Sequence, residues 1–240
     1  VGYGKLSIVV PVYNEESTVK QILRKLVEAK LPIEKEIIVV DDGSRDESGK
    51  LVKDFIAKHQ HVSIKYYYKR NGGKGSALRL GFTKCTGDII TIQDADLEYD
   101  PSEYSKLLAP ILSGQTQVVY GSRYLEKKGH FEKIHHATYL VHLVGNWGLS
   151  KIVSLVFATN ITDMETCYKM FTREVLKRMK LRAKKFEIEP EITAKILKNG
   201  YKIREIRIAY KSRDFNEGKK ITWRDGIKAF GYVLYYRFLN

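Results

Sequence analysis

The chain has 240 residues, 43% hydrophobic and 29% charged, which is enough to bury a sizeable core and too apolar for a disordered chain. Its formal net charge of +14 implies an anionic partner, and 19 Lys/Arg against 8 Asp/Glu from Arg173 to Asn240 place +11 of that charge in the C-terminal third. Two distant cysteines, Cys85 and Cys167, exclude a disulfide framework and a zinc signature and suit a reducing compartment, and no run of about 18 uninterrupted apolar residues marks a membrane span.

In chain order, KLSIVVPVYN is a β-branched run that reads as a buried strand. Val19, Ile22, Leu23, Leu26 and Val27 follow at helical spacing. A second buried strand, Glu36 to Val40, stops at the turn DDGS, where Asp46 or Ser48 can cap a helix with Leu51, Val52, Phe55 and Ile56 on its apolar face. VSIKYYY reads as a third strand, NGGKGSALRLGFTKC as a Gly-rich turn into a helix, and GDIITIQ as a fourth strand. Four such alternations predict a parallel α/β sheet with right-handed crossovers, whose ligands bind beyond the carboxyl ends of the strands. The polar stretches YNEE, DDGS and DADLE stand at three of those ends, so the fold brings them together.

The second half is less regular. PSEYSKLLAPIL predicts a helix, QVVYGSRY a strand, and His130 to Ala158 an amphipathic helical stretch. EPEITAKILKNG predicts a helix closed by Gly200 in the left-handed conformation, KIREIRIAYKSR a strand, and KKITWRDGIKAFGYVLYYRFLN an aromatic-rich terminal helix.

Asp94, Asp96, Glu98 and Asp100 put four carboxylates within seven residues of a positively charged chain. Asp94 and Asp96, two apart at a strand exit, can converge on one point, and such oxygens suit Mg²⁺ or Mn²⁺ completed by substrate phosphates. The alternative is a helix start, with Asp100 or Asp96 capping the helix after Pro101. The Asp41-Asp42 pair at another strand end favours the metal–nucleotide reading. RNGGKGSA lacks the Walker A spacing and no G-x-G-x-x-G follows the first strand; its glycines serve either a tight turn or a helix N-terminus near phosphates. His130, His135, His136 and His142 match no metal motif and read as surface or interfacial residues.

SIVVPVYNEE, IIVVDDGSRD, NGGKGSALRLG, GDIITIQDADLEYDP and VVYGSRY, in this order and spacing, resemble family 2 glycosyltransferases with a GT-A fold. ITDMETCYKMF, FEIEPEITAKILKNGYKIREIRIAY and RDFNEGKKITWRDG resemble the branch that uses polyprenyl or dolichyl phosphate, as in dolichyl-phosphate mannose and glucose synthases. The resemblance covers nearly the whole chain. It implies one GT-A catalytic domain over residues 1–240, a Rossmann-like, mainly parallel sheet flanked by helices. Residues 1–123 would bind the nucleotide sugar, and residues 124–240 would form an acceptor side of amphipathic helices.

The resemblance also implies roles for single residues. Pro11, Tyr13 and Glu15 belong to the loop that holds the base, and Asp41 and Asp42 to its base and ribose contact. Lys74 joins the nucleotide-sugar set. Asp94, Ala95 and Asp96 form the D-x-D segment with Asp96 on the metal. Glu98 stands where related synthases often carry Gln as a further ligand, which keeps an oxygen donor and adds charge. Arg123 lies near the donor sugar and phosphates. Arg213, Lys219 and Lys220 belong to a basic loop over the diphosphate and the acceptor phosphate. Asp163 and Thr166 match the acceptor-side motif, in which Cys167 replaces the usual Gly.

The implied reaction is an inverting, Mg²⁺- or Mn²⁺-dependent transfer of a hexose from a nucleotide diphosphate sugar to a polyprenyl phosphate. The EGKKITWRDG variant leans toward a UDP-sugar over GDP-mannose. A phosphate acceptor is already anionic and needs positioning more than a base. The basic C-terminal third and its aromatics, Trp147, Trp223, Tyr232, Tyr235, Tyr236 and Phe238, suit an anionic membrane surface or, alternatively, ordinary core packing. The expected location is cytoplasmic, peripheral at the membrane face or attached through a segment absent from this chain. Three rivals stand beside this reading: transfer to a saccharide hydroxyl, a non-catalytic relative, and a nucleic-acid-binding module, which the acidic strand ends disfavour.

Overall fold

The structure, a computed structural model, describes residues 2–125, 137–211 and 223–239. Arg213, Lys219, Lys220 and the first residues of the helical stretch expected from His130 lie outside the described residues.

Seven strands form one sheet in the order β3-β2-β1-β4-β6-β5-β7. They are β1 (Lys5–Val12), β2 (Glu34–Asp41), β3 (Ser63–Tyr68), β4 (Ile89–Ile92), β5 (Val118–Ser122), β6 (Lys169–Thr172) and β7 (Arg204–Arg207). β1 pairs in parallel with β2 and β4, and β2 with β3. Both faces of these strands are covered, so they read as continuous Val/Ile runs rather than alternating ones. Leu6, Ile8, Val9 and Val10 of β1 and Ile37, Ile38, Val39 and Val40 of β2 are fully buried. Each contributes about 1.5–3 kcal/mol by leaving water.

The crossovers are α1 (Val19–Glu28), α2 (Ser48–Lys58) and α3 (Lys74–Lys84). α1 buries the expected stripe of Val19, Ile22, Leu23 and Leu26. α4 (Tyr104–Leu112) follows a 3₁₀ turn at Pro101–Glu103, and the Asp100 carboxylate caps that turn by accepting from the Ser102 amide at 2.9 Å. The capping role expected in the acidic stretch therefore falls to Asp100. α2 starts without a side-chain cap, and Asp46 instead accepts from the Ser48 amide at 3.0 Å. The later helices are α5 (Ala137–Val156), α6 (Arg173–Arg178), α7 (Ile188–Lys198) and α8 (Trp223–Phe238). Gly200 closes α7 at φ +80°, as its place in the sequence predicts. The strand expected over KIREIRIAYKSR is shorter, only Arg204–Arg207.

β6 departs from the alternating parallel pattern. It runs antiparallel to β4 and β5. Two reversals restore the direction, so β5 leaves the sheet on the same edge as β1, β2 and β4. The antiparallel strand enters where β4 exits, with Thr91 opposite Met170. Residues 163–167, just before β6, are thereby laid against the acidic stretch just after β4. The sheet remains mainly parallel, and this strand carries a second polar segment to its functional edge.

Candidate active site

The exits of β1 and β2 are stitched together by short polar contacts. The Asp42 amide donates to Val12 O at 2.8 Å, the Asn14 amide to Ser44 Oγ at 3.1 Å, and the Glu15 amide to Ser48 Oγ at 2.8 Å. Asn14 sits at φ +52°, a conformation asparagine tolerates. Pro11 and Tyr13 are half-buried beside this seam, and Glu15 is buried with its carboxylate accepting from Thr18 at 2.9 Å.

The two acids after β2 have separate tasks. Asp41 accepts from the Ser44 amide at 2.8 Å and the Tyr66 hydroxyl at 2.7 Å. Asp42, only 3% exposed, accepts from Lys69 Nζ at 2.5 Å and from the amides of Gly72 and Gly73 at 3.0 and 2.7 Å. Gly73 lies at φ +92°, and a Cβ there would come 2.6 Å from Lys184 O. The Gly-rich stretch is therefore a tight turn folded onto Asp42. The amides of Gly75 and Ser76 donate to the carbonyls of Lys185 and Lys184 at 3.2 and 2.8 Å. With these donors engaged inside the protein, the first turn of α3 does not cradle phosphate through them.

Lys74, the next residue, reaches across to β4. Its ammonium lies 2.8 Å from Asp94 Oδ2 and 3.0 Å from Glu189 Oε1. Burial disfavours its charge, but Asp94 and Glu189 outweigh that penalty and hold its pKa well above the usual range. Glu189 also pairs at 2.5 Å with Lys169, which is fully buried. Burial raises the Glu189 carboxyl, yet Lys169 and Lys74 together bring it below its ordinary value. One chain of charge thus links Asp94, Lys74, Glu189 and Lys169 across four elements. Together with the Asp42–Gly73 contact, it ties the β2 exit to the β4 exit.

In the acidic stretch, Asp94, Asp96 and Glu98 are half-buried and reachable, while Ala95 is buried. Leu97 adopts φ +65°, a strained state for a branched side chain, in the segment that aims these acids. Asp96 accepts from the Glu98 amide at 3.1 Å, and Glu98 accepts from the Tyr210 hydroxyl at 2.8 Å. The Asp94 amide donates to Cys167 Sγ at 3.3 Å. Burial raises the Cys167 thiol, and Asp94 and Asp96 both push it further in the same direction. Among the described residues no group of three or more His, Cys, Asp or Glu gathers closely enough to hold a metal ion. Asp94, Asp96 and Glu98 therefore do not form a three-carboxylate cluster by themselves.

At the β5 exit, Arg123 grips Asp163. Nε and Nη2 each donate at 2.7 Å to a different oxygen, and the Arg123 amide adds a third bond at 3.0 Å. The guanidinium lies 4.9 Å from the centre of the Tyr210 ring. Asp163 is fully buried, and its amide donates to Glu205 at 3.0 Å. Arg123 and Asp163 therefore form one unit, a bidentate salt bridge. Thr166 is buried, and its carbonyl accepts from Lys169 at 2.5 Å.

Several residues that matter here carry no motif of their own. Gln93 accepts from Tyr104 and Tyr168 at 2.7 and 2.8 Å and so pins the residue before Asp94. Lys169 and Glu165 lie in a stretch that the sequence marked only by resemblance, and Glu189 opens a helix to which no charge role was assigned. A charged residue inside an apolar run, as Lys169 is in YKMF, was the available signal. A cavity of about 590 Å³ opens on the flank of α3 between Lys69, Arg79, Phe82 and Met179, and none of the expected site residues lines it.

Comparison with known proteins agrees with this geometry. Over 105 residues the chain is 41% identical to an undecaprenyl-phosphate 4-deoxy-4-formamido-L-arabinose transferase of Pseudomonas fluorescens, covering 43% of this chain and 31% of that protein. The match thus spans about a third of that relative's length. It is 28% identical over 241 residues to a UDP-N-acetylglucosamine–dolichyl-phosphate N-acetylglucosaminyltransferase of Methanococcus voltae, covering 93% of this chain and 92% of that one. In fold it resembles glucosyl-3-phosphoglycerate synthase of Mycobacterium tuberculosis bound to UDP, with a TM-score of 0.73 at 16% identity over 100% of this chain and 82% of that one. The same synthase with Mn²⁺, UDP and glucosyl-3-phosphoglycerate gives 0.68 at 19% identity, covering 98% and 80%. These likenesses support a GT-A sheet, and the profile of the glycosyl transferase family 2 domain matches residues 7–180, so the chain belongs to glycosyltransferase family 2.

Proposed function

We propose that this chain moves a hexose from a nucleotide diphosphate sugar, a UDP-sugar by preference, to a polyprenyl phosphate at a membrane surface. The observation that carries the reading is the joining of the β2 and β4 exits: Asp42 holds the turn from which Lys74 reaches Asp94. Pro11, Tyr13 and Glu15 would then take the base, with Asp42 and Asp41 shaping the wall behind the ribose. Relatives named for undecaprenyl-phosphate and dolichyl-phosphate transfer support the acceptor class.

The donor chemistry of Asp94 and Asp96 fits a hard divalent cation. Both are oxygen donors, both reach solvent, and both act on the same buried thiol of Cys167. Two carboxylates suffice where substrate phosphates and water complete the shell, and Glu98 is the third candidate oxygen. When bound, Mg²⁺ or Mn²⁺ supplies charge stabilisation for the departing nucleoside diphosphate. Lys74 holds Asp94 in place. Arg123 presents a fixed cation at the β5 exit. Arg213, Lys219 and Lys220 belong to the same proposal as the basic loop over the phosphates. Their segment follows Lys211, whose amide donates to Glu98 O at 3.0 Å.

Asp163 has both oxygens bound by Arg123, an arrangement that orients the arginine and suits it poorly to taking a proton. An acceptor that arrives as a phosphate needs no such base, which favours lipid phosphate over a sugar hydroxyl. The test is transfer of radiolabelled sugar from UDP-glucose, UDP-N-acetylglucosamine and GDP-mannose, with Mn²⁺, to a short-chain polyprenyl phosphate. Label in the lipid phase from one donor is expected. Transfer only to a free saccharide, or from no donor, would overturn the proposal.

A further inference from the structure

Glu165 stands in the segment 163–166 that β6 delivers to the functional edge. Both ends of that segment are clamped, Asp163 by Arg123 and the Thr166 carbonyl by Lys169. The Met164 amide adds a bond to Ser150 Oγ at 3.1 Å. A side chain on so short and so firmly held a segment has a defined direction. Yet Glu165 Oε1 is shut away from water and has no hydrogen-bond partner among the described residues. A buried, unpartnered carboxyl oxygen is costly unless something else supplies its partner.

The surroundings say what that partner is. Glu165 is influenced by Glu189 from α7, Lys169 from β6, Arg123 from the β5 exit and Asp163 from its own segment. The cations are already matched: Arg123 by Asp163, and Lys169 and Lys74 by Glu189 and Asp94. A charged Glu165 would be a fourth anion against three cations. Burial raises its pKa and Glu189 adds to the rise, against Lys169 and Arg123, to about 7. The carboxyl is therefore largely neutral in mildly acidic solution and offers one O–H donor and one C=O acceptor. That pair matches a hydroxyl group, which also both donates and accepts. A phosphate is acceptor-only and would find the neighbouring cations engaged. A metal ion would face Lys169 and Arg123.

We propose that Glu165 reads a hydroxyl of the hexose carried by the nucleotide sugar, and so sets which sugar this enzyme transfers. The inference rests on the donor site described above and names the group that recognises its sugar. Removing one partner of a buried hydrogen bond costs about 10- to 100-fold in binding, and a site built around a hydroxyl discriminates against its epimer.

The experiment is titration calorimetry with Mn²⁺ on wild type, Glu165→Gln and Glu165→Leu. The probes are UDP-glucose, UDP-galactose and UDP, then GDP-mannose, GDP-glucose and GDP. Wild type is expected to prefer one hexose over its epimer. Glu165→Leu should lose that preference by about 10-fold or more, while binding of the bare nucleoside diphosphate stays within about 2-fold. Glu165→Gln, which keeps a donor and an acceptor but cannot take a proton, should retain the preference. The wild-type preference should weaken as pH rises through about 7, and that of Glu165→Gln should stay flat.

The proposal is overturned if Glu165→Leu keeps the hexose preference, or if Glu165→Gln loses it as fully as Leu does. Lipid transfer is assayed alongside on the same proteins. Absent transfer with a preference that depends on Glu165 would sink the acceptor assignment and leave this inference standing. Normal transfer with an unchanged preference in Glu165→Leu would do the reverse, and a wild type that binds no nucleotide sugar sinks both.

Discussion

Three carboxylates show how differently one residue type can be used in a single domain. Glu36 is fully buried, and its oxygens accept from Ser7 at 2.6 Å, from the Thr86 amide at 2.5 Å and from Lys65 at 3.3 Å. Burial alone would raise its pKa, but the bonds from Ser7, Thr86 and Lys65 draw it down to about 2. A depressed carboxyl stabilises the fold above its unfolded value and loses that contribution as pH falls from about 4.5 toward 2. Chemical denaturation of wild type and Glu36→Gln should differ by about 2–3 kcal/mol at pH 7, with the gap closing through that window. Glu165 has the opposite sign. Its raised pKa means that its favourable contribution is complete below the unfolded value and is lost as pH rises to about 7. The melting temperature of Glu165→Gln should therefore gain on wild type across that interval. Asp163 is the third case, a partner that fixes a fork. Arg123→Lys keeps the charge but loses the bidentate geometry, and transfer should fall about 10-fold or more, read as kcat/KM for the donor.

At the scale of elements, the Gly-rich turn and the antiparallel β6 build the candidate site together. The turn depends on Gly73, whose left-handed φ and closeness to Lys184 leave no room for a Cβ. Gly73→Ala should cost about 2 kcal/mol or more in stability and should weaken nucleotide-sugar binding, because Asp42 and Lys74 lose their register; thermal melting and calorimetry on one preparation check both. Much of this level was legible in the sequence. The β-branched runs IVV and IIVV with amphipathic helices between them announce parallel strands, and Asp41-Asp42 and DADLE announce their ends. β6 was not legible, because KMFT is a four-residue strand with no alternation and with a lysine paired to a buried glutamate. Nor could sequence say which way the Gly-rich amides point. Both a phosphate cradle and a turn use the same glycines, and the distinction lies in Lys184 and Lys185, more than a hundred residues downstream. Glu165, Glu189 and Lys169 acquire meaning only when Glu189 of α7 meets Lys169 of β6, a contact that no local pattern encodes.

On the scale of the whole molecule, chemistry and surface are divided between the two halves of the chain. The acidic exits lie mainly in the first half, while the second half supplies most of the excess positive charge and, among the described residues, most of the exposed large apolar side chains. Trp147 and Leu155 of α5 and Phe230, Tyr235 and Phe238 of α8 are exposed, beneath which Leu149, Val153, Ala229 and Val233 pack together. Core packing therefore accounts for Tyr236, which is buried, while Trp147, Tyr235 and Phe238 are left open. No described helix is long and apolar enough to cross a membrane. The open aromatic face and the basic balance predict sedimentation with phosphatidylglycerol vesicles that weakens between about 50 and 500 mM salt, and much less binding to phosphatidylcholine vesicles. The central claim is that acids from separate strands serve one nucleotide-sugar pocket. Its most direct test is calorimetric titration of the best nucleotide sugar, with Mn²⁺, into wild type, Asp42→Asn beyond β2 and Asp96→Asn beyond β4. Each variant should bind at least about 10-fold more weakly, and undiminished binding in either one would contradict a shared pocket.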